Sequence, residues 1–324
     1  MKTLLKLLLA LVVIAVIAAG AGLTYLFTKY PNVPPAETVT VQSTPEKVAR
    51  GEYLAKHVSG CVDCHADHDL TKYAAPILPD SLGKGGYEFG DPDTAIRSLV
   101  SRNITPAAIG SWTDGELIRA FTAGVNKDGE ALFPIMPYPR YGRLSREDVE
   151  AIVAYIRTLK PIEYTSPPRE LAMPLPLIVR TMPQPAAFRP IPATTDRVAY
   201  GEYMINAAAC TDCHTPADDQ GQPLPGRDYA GGFELKLPGG GVVRSANLTP
   251  DADSGIGTWS EAQFVDKFKA FEGAPLRTLT DADRRENTVM PWTAYAGMTR
   301  EDLAAIYAYL RTIKPIVNRV KKHN

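Results

Sequence analysis

A chain of 324 residues with 45% hydrophobic and 22% charged content is an ordinary globular sequence, long enough for one large domain or two of average size and too apolar to be disordered as a whole. Its 35 Lys and Arg against 36 Asp and Glu leave a formal charge of -1, so composition offers no basic footprint for nucleic acid. Only four Cys and five His are present, yet all four Cys and two of the His fall in two five-residue strings.

The chain opens with Lys2 and Lys6 ahead of an uncharged run of 22 residues, Leu7 to Thr28. As a helix rising about 1.5 Å per residue, that run spans a bilayer. Ala19-Gly20-Ala21 is a passable cleavage site, so a signal peptide competes with an anchor. Leu23, Tyr25, Leu26 and Phe27 carry the apolar run beyond a normal signal-peptide core, which favours an uncleaved anchor over residues 1–30. Lys2 and Lys6 then stay in the cytoplasm, Tyr25 and Tyr30 lie at the outer interface, and the body is exported to the periplasmic side of the inner membrane. Without Lys2, Lys6 and Lys29 that body holds 32 basic against 36 acidic residues, a surface weakly suited to a basic partner. Residues 31–45, with Pro31, Pro34, Pro35 and Pro45, read as a spacer off the membrane.

An internal duplication organises the rest. Gly51-Glu52-Tyr53 returns as Gly201-Glu202-Tyr203, and Cys61-Val62-Asp63-Cys64-His65 as Cys210-Thr211-Asp212-Cys213-His214. Gly85-Gly86-Tyr87-Glu88 answers Gly231-Gly232-Phe233-Glu234, and Asn103-Ile104-Thr105-Pro106 answers Asn247-Leu248-Thr249-Pro250. Ile109-Gly110-Ser111-Trp112 matches Ile256-Gly257-Thr258-Trp259, and the run Ala154 to Ile162 matches Ala308 to Ile316. The order never changes, which predicts two tandem domains, 46–162 and 196–324. Between them, residues 161 to 192 hold nine of the 28 prolines and read as an extended, non-helical linker, assigned to 163–195. Leu171, Met173, Leu175, Leu177, Ile178 and Val179 are too apolar for a solvated tether and are expected to lie against the domains.

Each unit is predicted to be a small, mostly helical domain. A first helix runs from about Val48, or Val198, toward the first Cys. Thr113-Asp114-Gly115-Glu116 and Ser260-Glu261-Ala262-Gln263 have capping-box form, with Ile118 and Phe121, or Phe264, Val265 and Phe268, following at helical spacing. Ser145 and Thr299 cap a last helix in which Val149, Ile152, Val153, Ile156 and Leu159 recur at three or four, with Pro161 just beyond.

C-x-x-C-H is the pattern of c-type haem attachment: two thiols at short fixed spacing meet the two vinyl groups, and the adjacent imidazole reaches the iron. A zinc ribbon places its two pairs roughly 15 to 20 residues apart. Here 145 residues separate them. A disulfide within each pair leaves both following His unexplained. The expected cofactors are therefore two covalent haem c, held by Cys61, Cys64, Cys210 and Cys213 with His65 and His214 on iron. A sixth ligand closes the site to small molecules, and Met raises the potential. Met136 is the only Met between His65 and Pro161, and its repeat partner is Met290. Met298 aligns with Leu144 just before a helix cap and reads as a hydrophobic staple, while Met173, Met182 and Met204 lack Met counterparts and read as packing or linker residues. His57 and His68 have no His counterparts and read as surface or supporting residues, and His323 as solvated in a basic tail. Trp112, Trp259, Trp292, Tyr138 and Tyr141 fill the core or stack at a haem edge. Asn103 and Asn247 either reach a haem propionate or close a turn.

Both units resemble class I cytochrome c domains: a first helix with Gly51 and Tyr53, CxxCH, a Met followed by Pro, and a last helix bearing Tyr155, with Gly201, Tyr203 and Tyr309 in the second unit. The resemblance implies an all-α fold in which the first and last helices cross at these Gly and aromatic positions. Asn247-Leu248-Thr249-Pro250, Gly255-Ile256-Gly257-Thr258-Trp259 and Met290-Pro291 are similar to the multihaem cytochrome subunits of periplasmic alcohol, gluconate, aldehyde and nicotinate-type dehydrogenases. Those subunits often carry three haems and a C-terminal anchor, whereas this chain has two CxxCH strings and an N-terminal apolar segment. The implied function is single-electron transfer, with no substrate bond broken, from a dehydrogenase or quinol-oxidising complex toward a terminal oxidase. A dihaem peroxidase, which also duplicates a cytochrome domain, is the enzyme-class alternative. It needs an open iron and a pocket base, where this chain offers a Met in each unit.

Overall fold

The computed structural model describes residues 2–218, 221–237, 240–281 and 283–323. Met1 and Asn324, the outer ends of the first and last expected segments, lie outside them. Helix α1 (Lys2–Lys29) has 28 residues and buries none of them. At about 1.5 Å per residue it is roughly 42 Å long, enough to cross a bilayer.

The first domain follows as α2 (Pro45–Tyr53), α3 (Cys61–Cys64), α4 (Pro106–Ile109), α5 (Asp114–Ala123), α6 (Tyr138–Tyr141) and α7 (Arg146–Ile156). After α8 (Leu175–Arg180), the second comprises α9 (Arg197–Ala207), α10 (Cys210–His214), α11 (Glu261–Lys269), α12 (Trp292–Tyr295) and α13 (Arg300–Leu310). Strand is confined to two short antiparallel ladders, β1 (Ile96–Ser98) with β2 (Glu170–Leu171) and β3 (Glu234–Lys236) with β4 (Val242–Arg244).

Local sequence accounts for the helix ends. Thr113 and Ser260 form complete capping boxes with Glu116 and Gln263, and Ser145 and Thr299 accept from the Asp148 and Asp302 amides. Gly51 and Gly201 account for the crossing of first and last helices: a Cβ on either would overlap the carbonyl of Ala151 or Ala305 and press on the Cβ of Tyr155 or Tyr309. Only a missing side chain lets α2 meet α7, and α9 meet α13, so closely. Met298 and Leu144 are buried as expected of staples, and Met204 is fully buried in the core.

The two copies differ by a π-turn. Leu54–Val58 continues α2 with wider turns, and Ser59 N–H bonds Leu54 O five residues back at 2.7 Å. Alpha-helix α9 has no such turn, so this extra residue is why the repeat offset falls from 150 at Gly51/Gly201 to 149 at Cys61/Cys210.

Two linear expectations need correction. The linker is not wholly extended: Leu175–Arg180 is helical, because Pro176 falls in the first turn, where a missing N–H costs no helical bond. Val179 packs fully inside, whereas Met173 and Ile178 remain 70% and 45% exposed. The linker is tied to the first domain through β2 and through Ala187 and Arg189, whose amides donate to Gly142 and Leu144 carbonyls. The C-terminal tail is not free in solvent either. The exposed edge of β4 recruits it: Arg244 N–H donates to Lys322 O at 2.8 Å, and His323 pairs with Val243.

The domains dock through a local two-fold seam. Tyr53 of the first donates to Asp302 Oδ2 at 2.5 Å and accepts from Thr299 N–H at 3.1 Å. Reciprocally, Tyr203 of the second donates to Asp148 Oδ2 at 2.6 Å and accepts from Ser145 N–H at 3.1 Å. Each first helix thus caps the partner domain's last helix. Arg50 also grips Asp148 with two 2.8 Å bonds, whereas Tyr200 stands at the matching place in the second domain. The loop after the first CxxCH string also reaches across, with Tyr73 N–H on Arg277 O, Leu279 N–H on Thr71 O and Ala74 N–H on Asn287 Oδ1.

Candidate haem-binding site

Each CxxCH string begins on a residue in left-handed conformation, Gly60 (φ 62°) or Ala209 (φ 50°), and then makes one helical turn. That turn sets the two thiols three residues apart on one face. All four cysteines are unpaired, and Cys64 and Cys213 are exposed at the surface of the protein atoms. Burial nevertheless pushes the Cys213 thiol up to about 11 and the Cys61 and Cys210 thiols up to about 12.

The imidazoles are fixed by the backbone, identically in the two copies. His65 Nδ1 lies 2.6 Å from Arg102 O and His214 Nδ1 2.8 Å from Ala246 O. A carbonyl can only accept, so Nδ1 carries the proton and Nε2 presents its lone pair. Burial holds both His below the usual imidazole value, keeping them neutral. Neither Nε2 has a hydrogen-bond partner among the described residues. The backbone of each His is also clamped, Gly85 N–H on His65 O at 3.0 Å and Gly231 N–H on His214 O at 2.7 Å. Both glycines have positive φ, and a Cβ on either would press on the backbone that supplies the acceptor carbonyl.

Asn103 and Asn247 close turns, and their side chains are spent on that. Asn103 Oδ1 accepts from Thr105 N–H and hydroxyl at 2.9 and 2.8 Å, and Nδ2 donates to Ile162 and Tyr164 carbonyls. Asn247 repeats this with Thr249 and Ile316 O, adding Ser254 Oγ. Both are buried, and each fixes the residue before it, Arg102 or Ala246, whose carbonyl orients the imidazole. Those two carbonyls are the site groups that the sequence reading missed. The signal was the position ahead of each repeated Asn-x-Thr-Pro.

Met136 and Met290 occupy equivalent turns, each leading through a Pro into a four-residue helix, with Tyr138 N–H on Met136 O and Trp292 N–H on Met290 O. Both are half-buried, and Met136 packs on the core. Tyr138, 1% exposed, buries a hydroxyl with no partner among the described residues, an orphan that a haem carboxylate would satisfy. Paired thiols on one face and a neutral imidazole with its metal-binding nitrogen free fit a covalent haem in each domain, and the orphaned Tyr138 hydroxyl adds to that fit in the first.

The remaining His residues stand outside this arrangement. His57 Nδ1 lies 3.0 Å from Ala294 O across the seam. His68 packs edge-on to Tyr87 at 4.9 Å and lies 3.8 Å from Asp63. Trp112 and Trp259 are half-buried against the core, while Trp292 stacks on Phe271 at 5.1 Å.

Two helical domains that each present a thiol pair and an oriented imidazole define a c-type haem protein. Cytochrome c family signatures cover residues 48–160 and 198–314, and the chain belongs to that family. With one CxxC motif in each matched region, its cofactors are two haem c. It is 31% identical over 307 residues to the cytochrome c subunit of a quinone alcohol dehydrogenase from Gluconacetobacter polyoxogenes, covering 89% of this chain and 59% of the relative. It is 29% identical over 321 residues to the fructose dehydrogenase cytochrome subunit of Gluconobacter japonicus, covering 92% and 59%. A diheme cytochrome c-type protein of Cereibacter sphaeroides matches at 27% over 302 residues, 86% of this chain and 92% of that one. The chain thus spans less than two thirds of the two dehydrogenase subunits.

Proposed function

We propose that this chain is a membrane-anchored dihaem electron carrier of the periplasmic side, passing single electrons from a dehydrogenase or quinol-oxidising complex toward a terminal oxidase. Domains 46–162 and 196–324 each carry one haem, bound through Cys61 and Cys64 or Cys210 and Cys213. His65 and Met136 ligate the first iron, His214 and Met290 the second. The haem supplies the ferrous–ferric couple; the chain supplies the attachment, the imidazole tautomer and a buried, desolvated setting that tunes potential. The observation that carries this is the His arrangement: at the same place in both domains an imidazole is pinned by Nδ1 to a backbone carbonyl with Nε2 free. Helix α1 would hold the body at the membrane, and the likeness to dehydrogenase subunits supports a dehydrogenase as donor.

Mildly solubilised membranes, separated on a native gel, stained for covalent haem and analysed by mass spectrometry, test the assignment. The expected result is a haem-staining band in which this chain co-migrates with a dehydrogenase. Co-migration with a quinol-oxidising complex or oxidase instead makes it a respiratory relay and overturns the dehydrogenase as donor, and a band without covalent haem overturns the electron-carrier reading itself.

A further inference from the structure

The seam brings the two CxxCH strings together. Tyr141 and Tyr295 are partners under the 154-residue offset, each on the helix that follows a proposed Met ligand. Tyr141 OH donates to Ser59 O at 2.5 Å and Tyr295 OH to Ala208 O at 2.9 Å, in each case the carbonyl two residues before the first Cys of its own string. Each of these two short helices also bonds across the seam, through the residue that precedes its tyrosine.

The surroundings lock this junction. Arg140, next to Tyr141, forms a 2.8 Å ion pair with Asp212 inside the second string, and its carbonyl accepts from Asn206 at 3.0 Å. On the opposite side His57 reaches Ala294 O, and its ring sits where a side chain on Gly297 would be. His57 and Asn206 correspond under the 149-residue offset, so unlike side chains make the same cross-domain bond from the two copies.

We propose that Tyr141 and Tyr295 are positioning residues: each ties a helix that bonds across the seam to its own string, so that together they hold Cys61–His65 and Cys210–His214 at a fixed separation and so fix the spacing and electronic coupling of the two haems. The inference rests on reading both strings as haem sites. An electron moving between the centres leaves one oxidised and the other reduced and carries no atom or proton, so spacing and packing are what the protein can control.

Full-length protein in detergent, carrying Tyr141→Phe with Tyr295→Phe or Tyr141→Leu with Tyr295→Leu, tests it by the split circular-dichroism signal of two interacting haems. Covalent haem per chain in the unaltered protein is measured first: fewer than two fails the underlying reading. With two haems present, the Leu pair should lower the split signal about twofold or more and the Phe pair less, because loosening a supporting contact by roughly an ångström is enough to detune such a site. A split signal unchanged in both pairs at full haem content overturns the proposal. If the Leu pair does not fold, a decrease in the Phe pair supports it and an unchanged signal there overturns it.

Discussion

At the scale of single residues, the site is built by small groups acting on the backbone. Asn103 uses all its amide hydrogen-bonding capacity to fix one loop, and the consequence appears one residue earlier, where Arg102 O sets the His65 tautomer. The Met side of each site rests on fewer constraints. Met290 N–H is held by Thr288 Oγ1 at 3.1 Å, and Met136 N–H by Phe133 O at 3.3 Å. Because axial ligands move haem potentials across about 0.8 V, Met136→Ala should lower one midpoint potential by on the order of 0.1–0.3 V and leave the other nearly unmoved. A redox titration with two unaltered potentials would remove Met136 from the site, and Met290→Ala should give the mirror result.

At the scale of elements, the helix crossings decide whether each domain closes. An alanine at Gly51 or Gly201 must displace a backbone carbonyl, not a flexible side chain, so overpacking should cost about 3 kcal/mol or more in either domain. Thermal unfolding of Gly201→Ala within a degree or two of the unaltered protein would show that α9 and α13 do not depend on this contact. The caps were legible in the sequence because they rest on local residue types, whereas the crossings at Gly51 and Gly201 were expected only from the resemblance to cytochrome c domains. The π-turn left a trace only in hindsight, as a change of one in the repeat offset. Helix α8 was missed because proline density was weighed without asking which position in a first turn Pro176 would take. The paired tail was missed because an edge strand of three residues gives almost no linear signal.

At the scale of the whole molecule, the seam has no local signature: Tyr53 and Asp302 are 249 residues apart, Tyr203 and Asp148 are 55. The duplication announced two domains without telling how they dock. The docking has a pH signature of its own. Burial, reinforced by Asp302 or Asp148, raises the phenols of Tyr53 and Tyr203 well above their ordinary range, and burial with Asp302 pushes Tyr200 up to about 12. In an unfolded chain these groups ionise near pH 10. Between about pH 10 and 12 the unfolded state thus releases protons that the folded state still holds, and stability falls by about 1.4 kcal/mol per pH unit for each such phenol. Below pH 10 the contribution is complete, and the decline begins only as pH rises past the unfolded value. Urea midpoints measured from pH 8 to 12 should therefore stay level and then drop steeply. The pair Tyr53→Phe with Tyr203→Phe removes two of these phenols and leaves Asp302 and Asp148 short of a donor, so it should start from a lower midpoint and decline less steeply. An alkaline slope as steep in that variant as in the unaltered protein would place the proton release elsewhere than in the seam.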